Sequence, residues 1–301
     1  VALVGRSQTG YERCMNYRHA FHAGNFADVL KHAVLALIIH HLKRKEAPFR
    51  VIDTHAGRGL YRLDGGPAER TGEWRDGIGR IIGTAAEPLP AAVGDVLAPY
   101  VEAIRSENIG DRLTSYPGSP RIARTLMRRS DRLIVNELHP EDHAALDKLF
   151  ARDTQTKVMH LDGWTALKAL LPPKERRGVV LVDPPFEQPG ELARLSEGLG
   201  EALSRFATGT YLLWYPVKDL KPIARFHRAV TELGAAKVLD AALFVRPPRN
   251  PHVLTGTGLV ICNPTYGLHQ ALEVLLPFLA DRLAQAEGGG YALDWLAGGD
   301  D

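Results

Sequence analysis

The run Val179-Val180-Leu181-Val182-Asp183-Pro184-Pro185-Phe186-Glu187 constrains the fold more than any other part of the chain. Its apolar residues show no alternation and are mostly β-branched, the pattern of a strand buried on both faces of a parallel sheet. Asp183 stands at the carboxyl end, and two prolines then stop the strand, because they can neither donate to a ladder nor continue directly into a helix. In open α/β sheets ligands bind outside the carboxyl ends of the strands. An acid, a rigid turn and an aromatic ring are therefore expected at the working edge.

The rest of the chain supplies the sheet around this strand. Asn25 is an N-cap for a helix whose stripe is Phe26, Val29, Leu30, Ala33, Val34, Leu37, Ile38 and Leu42. Phe49–Asp53 reads as the first strand, followed by the loop Thr54-His55-Ala56-Gly57-Arg58-Gly59. Residues 61–116 are rich in Gly, Pro and charge and read as an inserted helical subdomain, with helices expected over Gly72–Ile82 and Ala91–Glu107. The alternation then resumes. A helix opens at Pro117-Gly118-Ser119-Pro120 with Ser119 as cap and runs to about Arg129. Further strands follow at Arg132–Glu137, Lys157–His160, Gly178–Asp183 and Tyr211–Trp214. Val238–Val245 and Gly258–Cys262 form a late antiparallel pair, bridged by the loop Arg246–His252, and a last helix spans about Gly267–Ala286. The tail holds one apolar stretch, Tyr291–Leu296. This is a doubly wound α/β domain of residues 17–60 and 117–301, with a seven-stranded, mostly parallel sheet, a small helical insertion and an extension at 1–16.

Three further strands end in, or lead into, an acid: Asp53, Glu137 and Asp162. A carboxylate after the second strand suits the two hydroxyls of a ribose, and a polar group after the third suits an adenine amine. Each acid alone is more often a cap or turn residue; the series together with Asp183 is what points to a nucleoside cofactor. Gly57 and Gly59 do not continue into G-x-G-x-x-G and a helix, which disfavours NAD, and no phosphate-binding G-x-x-x-x-G-K-[ST] occurs. No histidine pair has zinc spacing with an acid or cysteine partner, so no metal is expected. Basic groups gather in the arm Tyr17-Arg18-His19 with His22, and on Arg121, Arg124 and Arg128, a helix face expected near the cofactor edge and suited to phosphate.

The net charge of +2 on 301 residues does not by itself demand a nucleic acid. The two cysteines, Cys14 and Cys262, build no disulfide framework and fit a cytoplasmic protein. Val1–Cys14 lacks the apolar core of a signal peptide and reads as a loose extension, with Met15 as the expected initiator. No apolar run reaches membrane-spanning length.

Asp-Pro-Pro-Phe at 183–186 resembles the signature of amino-group methyltransferases that use S-adenosylmethionine. The lone pair of an adenine amine is delocalised into its ring. A carboxylate and a proline-fixed carbonyl that accept both amine hydrogens localise that pair, while the following ring stacks on the exposed base. Longer matches narrow the resemblance. They are Tyr-Arg-His-Ala-Phe-His-Ala-Gly-Asn-Phe-Ala-Asp-Val-Leu-Lys-His at 17–32, Asp-Thr-His-Ala-Gly at 53–57 and Glu-Arg-Thr-Gly-Glu at 69–73. Tyr-Pro-Gly-Ser-Pro at 116–120, Glu-Leu-His-Pro at 137–140, Arg-Phe-Ala-Thr-Gly at 205–209 and Leu-Trp-Tyr-Pro-Val at 213–217 follow in order. From about Tyr17 to Trp295 the chain resembles the bacterial 23S ribosomal RNA adenine-N(6)-methyltransferase family.

The resemblance implies a Rossmann-like class I methyltransferase fold, S-adenosyl-L-methionine as cofactor and large-subunit ribosomal RNA, naked or in an assembly precursor, as substrate of a monomer. It implies cofactor contacts at His32, His55, Ser119, Glu137, Asp162, Gly163 and Asp183. Catalysis falls to Asp183, the Pro184 carbonyl and the Phe186 ring, and RNA handling to Tyr17, with Lys31 in the same N-terminal motif; Arg18 and His19 of the basic arm are expected to bind RNA beside them. Phe186 departs from the tyrosine common there, which keeps stacking and removes a phenol hydrogen bond. The residues alone also admit a DNA adenine or protein-glutamine methyltransferase, and a silent RNA-binding protein on the same scaffold.

Overall fold

The protein is described by a computed structural model covering residues 18–110, 112–249 and 253–299. Cys14, Met15, Tyr17 and the expected extension lie outside the described residues. Along the chain the strands are β1 (Arg50–Asp53), β2 (Leu60–Arg62), β3 (Ser115–Pro117), β4 (Arg132–Asn136), β5 (Thr156–Met159), β6 (Gly178–Val182), β7 (Thr210–Val217), β8 (Val238–Phe244), β9 (Gly256–Cys262) and β10 (Gly290–Ala297). The helices are α1 (Phe26–Leu42), α2 (Pro67–Thr71), α3 (Ala91–Arg105), α4 (Ser119–Leu126), α5 (Pro140–Phe150), α6 (Gly163–Ala169), α7 (Glu191–Arg205), α8 (Leu220–Glu232) and α9 (Leu268–Arg282).

The main sheet has eight strands in the order β10-β8-β9-β7-β6-β1-β4-β5. β6 lies near its middle, parallel to β1 on one side and β7 on the other, with every residue buried. That burial on both faces is what the unalternated Val179–Val182 run requires. β1, β4 and β5 continue the parallel half, while β9 runs antiparallel between β7 and β8. Two apolar layers cover the sheet. One holds α1, α3, α4 and α9, and the other holds α7 and α8.

The expected fold holds, with local corrections. The eighth strand is β10, antiparallel to β8 at the sheet edge. Its residues are half-buried without clear alternation, so Tyr291–Leu296 carried too little period-2 signal to be read as a strand. β2 and β3 form a separate antiparallel pair at the two ends of the segment expected as an insertion, and Gly118 N–H donates to Gly59 O at 2.9 Å. The helix expected over Gly72–Ile82 is two short 3-10 turns, Glu73–Asp76 and Ile78–Arg80. Gly77 breaks it, because its backbone packs so tightly that a Cβ there would lie 2.1 Å from Gly24 O. Asn25 caps α1 as expected, accepting from Ala27 N and Asp28 N. Ser119 is not the cap of α4; that position is Gly118, and the helix stops at Leu126.

Candidate active site

The carboxyl ends of β1, β4, β5 and β6 converge on one cleft of about 1220 Å³, open to solvent. Asp183 follows β6 and is 15% exposed at its side chain. Its Oδ2 accepts from Lys31 Nζ at 2.5 Å, and the same ammonium lies 2.9 Å from Asp28 Oδ1. Lys31 is 5% exposed and Asp28 1%. Burial opposes both charges, yet the Asp183 and Asp28 carboxylates push the Lys31 ammonium above its ordinary value. Likewise the neighbouring His19, Lys31 and His32 hold Asp28 well below the usual carboxylate range despite its burial. Lys31 therefore stands on the cleft wall against the carboxylate expected to receive a base, rather than on an outer surface.

The other acids line the cleft with part of their hydrogen-bonding capacity already used. Burial pushes Asp53 up to about 7, opposed by the Ser119 hydroxyl and reinforced by Asp183. Ser119 Oγ donates to Asp53 Oδ2 at 2.7 Å, so this serine fixes the strand-end acid instead of capping a helix. Glu137 accepts from Gly57 N at 2.7 Å and from His139 N at 2.7 Å, and burial raises its pKa. Asp162 caps α6 through Oδ1, which accepts from Trp164 N and Thr165 N. The bland reading of Asp162 as a cap is thus realised, at a position that still lines the cleft.

Two histidines in the wall, buried His32 and half-buried His55, stay neutral at working pH. Burial takes His32 down to about 3 and His55 down to about 4. The Thr54 hydroxyl donates to Leu181 O at 3.1 Å, so its oxygen accepts from His55 Nδ1–H at 2.9 Å. That leaves His55 Nε2 as an acceptor. Gly163 lies against this ring, and a Cβ there would come within 2.3 Å of Nε2.

His19, Lys31, His32, His55, Ser119, Glu137, Asp162, Gly163, Asp183 and Pro184 all line the cleft. Phe186 sits beside it, edge-on to Trp214 with ring centroids 5.5 Å apart, and Trp214 does line it. Phe186 also holds φ +51, a left-handed conformation that costs a bulky residue energy and is concentrated at functional turns. Arg18 reaches across to Glu141 of α5, its Nη2 lying 3.2 Å from Oε1. Tyr17 is outside the described residues. The expected basic face of Arg121, Arg124 and Arg128 does not form at this edge. Arg124 pairs with Asp153, ahead of β5, and Arg128 with Asp131 while donating to Lys45 O at 2.8 Å, ahead of β1. Both belong to the opposite edge of the sheet, and Arg121 is held by Glu107 at 2.6 Å. Tyr61, Trp164 and Trp214 also line the cleft, and Asp28 joins it through Lys31; no local sequence signal marks these residues individually. Trp214 was visible only inside Leu-Trp-Tyr-Pro-Val, and the role of Asp28 needed its i,i+3 contact with Lys31. Among the described residues no group of three or more His, Cys, Asp or Glu is set to hold a metal ion. No helix there is long and apolar enough to cross a membrane.

The chain is 42% identical over 282 residues to the ribosomal RNA large subunit methyltransferase J of Escherichia coli, covering 94% of this chain and 99% of that protein. It is 40% identical over 283 residues to the Haemophilus influenzae protein of the same name, with the same coverage. The crystal structure of protein LPL1258 from Legionella pneumophila is similar with a TM-score of 0.82 at 34% identity, covering 91% of this chain and 98% of that one. A family model described as ribosomal RNA large subunit methyltransferase D, RlmJ, matches residues 46–297. The chain belongs to that methyltransferase family.

Proposed function

We propose that this protein transfers a methyl group from S-adenosylmethionine to the 6-amino group of an adenosine in 23S large-subunit ribosomal RNA, acting in the cytoplasm as a monomer on naked RNA or an assembly precursor. The carrying observation is Asp183. It stands on the Pro184-Pro185 turn with one oxygen engaged by Lys31, in the same cleft as Glu137, Asp162 and two neutral histidines.

The residues fit such a cofactor. His32 Nε2 is buried without a hydrogen-bond partner, and Gly163 leaves beside His55 a space that a Cβ would fill. His32, His55, Ser119, Glu137, Asp162 and Gly163 would hold it, with Glu137 suited to ribose hydroxyls and Asp162 to the adenine end. When bound, the cofactor supplies an electrophilic methyl on a sulfonium. Asp183 and the Pro184 carbonyl accept the amine hydrogens, which localises the nitrogen lone pair and aims it. Lys31 fixes the Asp183 rotamer through Oδ2 and leaves Oδ1 for the amine. Phe186, backed by Trp214, stacks on the base. Holding both reactants in line supplies a large part of the rate. Ribosomal RNA as substrate is supported by the names of the relatives and by the basic arm at Arg18 and His19.

The test is methyl transfer from labelled cofactor to unmodified ribosomal RNA, assembled large subunits, DNA and protein. Label should enter ribosomal RNA; label in DNA or protein alone refutes the proposal. Asp183→Asn should lower the rate about 10²–10³-fold with cofactor binding retained, and full activity in that variant refutes the role given to Asp183.

A further inference from the structure

His32 is the last ring of a hydrogen-bonded chain that starts in the insertion. Tyr100 of α3 and Tyr116 of β3 place their hydroxyls 2.9 Å apart. Tyr116 Oη lies 2.7 Å from His32 Nδ1, with the two rings stacked at 5.6 Å. All three side chains are buried, at 0%, 0% and 1% exposure. Beyond them, His32 Nε2 has no hydrogen-bond partner, and His32 lines the cleft.

The chain has two directions, and the place where each leaves its one spare donor separates them. In one, His32 Nδ1–H donates to Tyr116, Tyr116 donates to Tyr100, and the Tyr100 O–H is left over. Tyr116 is the only hydrogen-bond partner of Tyr100 among the described residues, so that direction buries an O–H with no acceptor. In the other, Tyr100 donates to Tyr116 and Tyr116 donates to His32 Nδ1. The spare donor is then the imidazole N–H on Nε2, at the wall of the cleft, where a bound ligand can accept from it. Asp28 Oδ1, 3.8 Å from Nε2, favours a proton there. Neutral His55, whose Nδ1 proton is held by Thr54, presents the opposite tautomer across the same site.

We propose that Tyr100 and Tyr116 are positioning residues that lock His32 as its Nε2–H tautomer, making it a hydrogen-bond donor to the amino-acid carboxylate of the cofactor. The carboxylate follows by elimination: Asp162 takes the adenine end, Glu137 the ribose and Asp183 the transfer point, which leaves the methionine tail for the wall of α1 that carries His32. This inference rests on the cofactor reading above. It gives the insertion a task in cofactor binding, through Tyr100, distinct from contact with RNA.

The experiment uses the full chain and its Tyr116→Phe and Tyr100→Phe variants. Side-chain nitrogen NMR of His32 in the ligand-free protein reads the tautomer, and calorimetry reads the affinity for S-adenosylhomocysteine. Filter binding reads the affinity for a ribosomal RNA fragment. The wild type should show the Nε2–H form. Tyr116→Phe should show a mixture of tautomers and weaken S-adenosylhomocysteine about three- to tenfold, with RNA affinity unchanged. Tyr100→Phe, which leaves the Tyr116–His32 contact in place, should move both readouts the same way by less. A proton on Nδ1 in the wild type overturns the proposal, as does wild-type affinity for S-adenosylhomocysteine in both variants. Should Tyr116→Phe fail to fold, the wild-type tautomer and Tyr100→Phe decide. Failure of the wild type to bind S-adenosylhomocysteine would instead strike the cofactor reading, since the tautomer is read without ligand.

Discussion

Replacing Lys31 by methionine keeps the length of the side chain and removes its charge from between two carboxylates. Nζ lies 2.9 Å from Asp28 Oδ1 and 2.5 Å from Asp183 Oδ2. At an effective dielectric constant of about 20, each contact is worth roughly 6 kcal/mol before desolvation is counted. Desolvating three groups offsets much of this, and breaking a buried pair from one side costs about 3–5 kcal/mol net. For a chain of this size that corresponds to a fall in Tm of roughly 6–10 °C. The sign with pH follows from the two shifts. Lys31 is raised, so its contribution is complete below its unfolded value near 10.5 and lost only as pH rises through the higher folded value. Asp28 is lowered, so its contribution is complete above its unfolded value near 3.8 and lost as pH falls through the folded value. Between about pH 5 and 9 the penalty should be flat. The assay is thermal unfolding of Lys31→Met, Asp28→Asn and the double variant across that range. The double variant should recover at least about 1 kcal/mol relative to the sum of the singles. A fall of under about 2 °C, or additive effects in the double variant, refutes this account of the charge cluster.

Other consequences can be checked separately. Phe186→Ala should weaken binding of the RNA substrate by about 1–3 kcal/mol of lost stacking, read as a rise in KM, while Phe186→Tyr should stay near wild type. Asp53 is raised to about 7 in the fold from an ordinary value near 3.8, so the folded state holds the extra proton and stability falls as pH climbs through that window. Asp53→Asn should flatten the slope between pH 4 and 7 by up to about 1.4 kcal/mol per pH unit, measured by denaturant unfolding; an unchanged slope counts against the burial argument. Gly163→Ala puts a Cβ against the His55 ring, which is packed edge-on to Trp164. It should destabilise by about 1–3 kcal/mol and weaken cofactor binding in calorimetry.

Much of the site was legible because strand ends carry it. Val179–Asp183 declares a doubly buried strand and its stop, and Asp53, Glu137 and Asp162 each fall where a parallel sheet turns its working edge to solvent. What stayed hidden was partnership across distance. The Lys31–Asp183 contact joins positions 152 residues apart, and nothing in the local pattern of α1 distinguishes a lysine facing a carboxylate from one facing water. Arg124 and Arg128 do not share a helix face, because α4 stops at Leu126 and leaves Arg128 beyond it, and only the packing of α4 against the sheet shows which edge Arg124 reaches. Ser119 looked like a cap because its neighbours suit one, and its hydroxyl went to Asp53 instead. β10 was missed because an edge strand half in water carries a weak alternation.

The burial of α1 has a consequence for how the protein opens. Among its residues only Leu37, His40 and His41 are not buried, so the helix meets protein on nearly all sides. Val93, Leu97, Tyr100, Val101, Ala103 and Ile104 of α3 lie in the same apolar layer as α1 and the sheet. Lifting the insertion away would therefore expose apolar surface on both α1 and α3. Although β2 and β3 pair at the two ends of the segment that carries α3, α3 should not breathe by itself. Its amides should exchange with solvent together with those of α1, at the free energy of a shared cooperative unit.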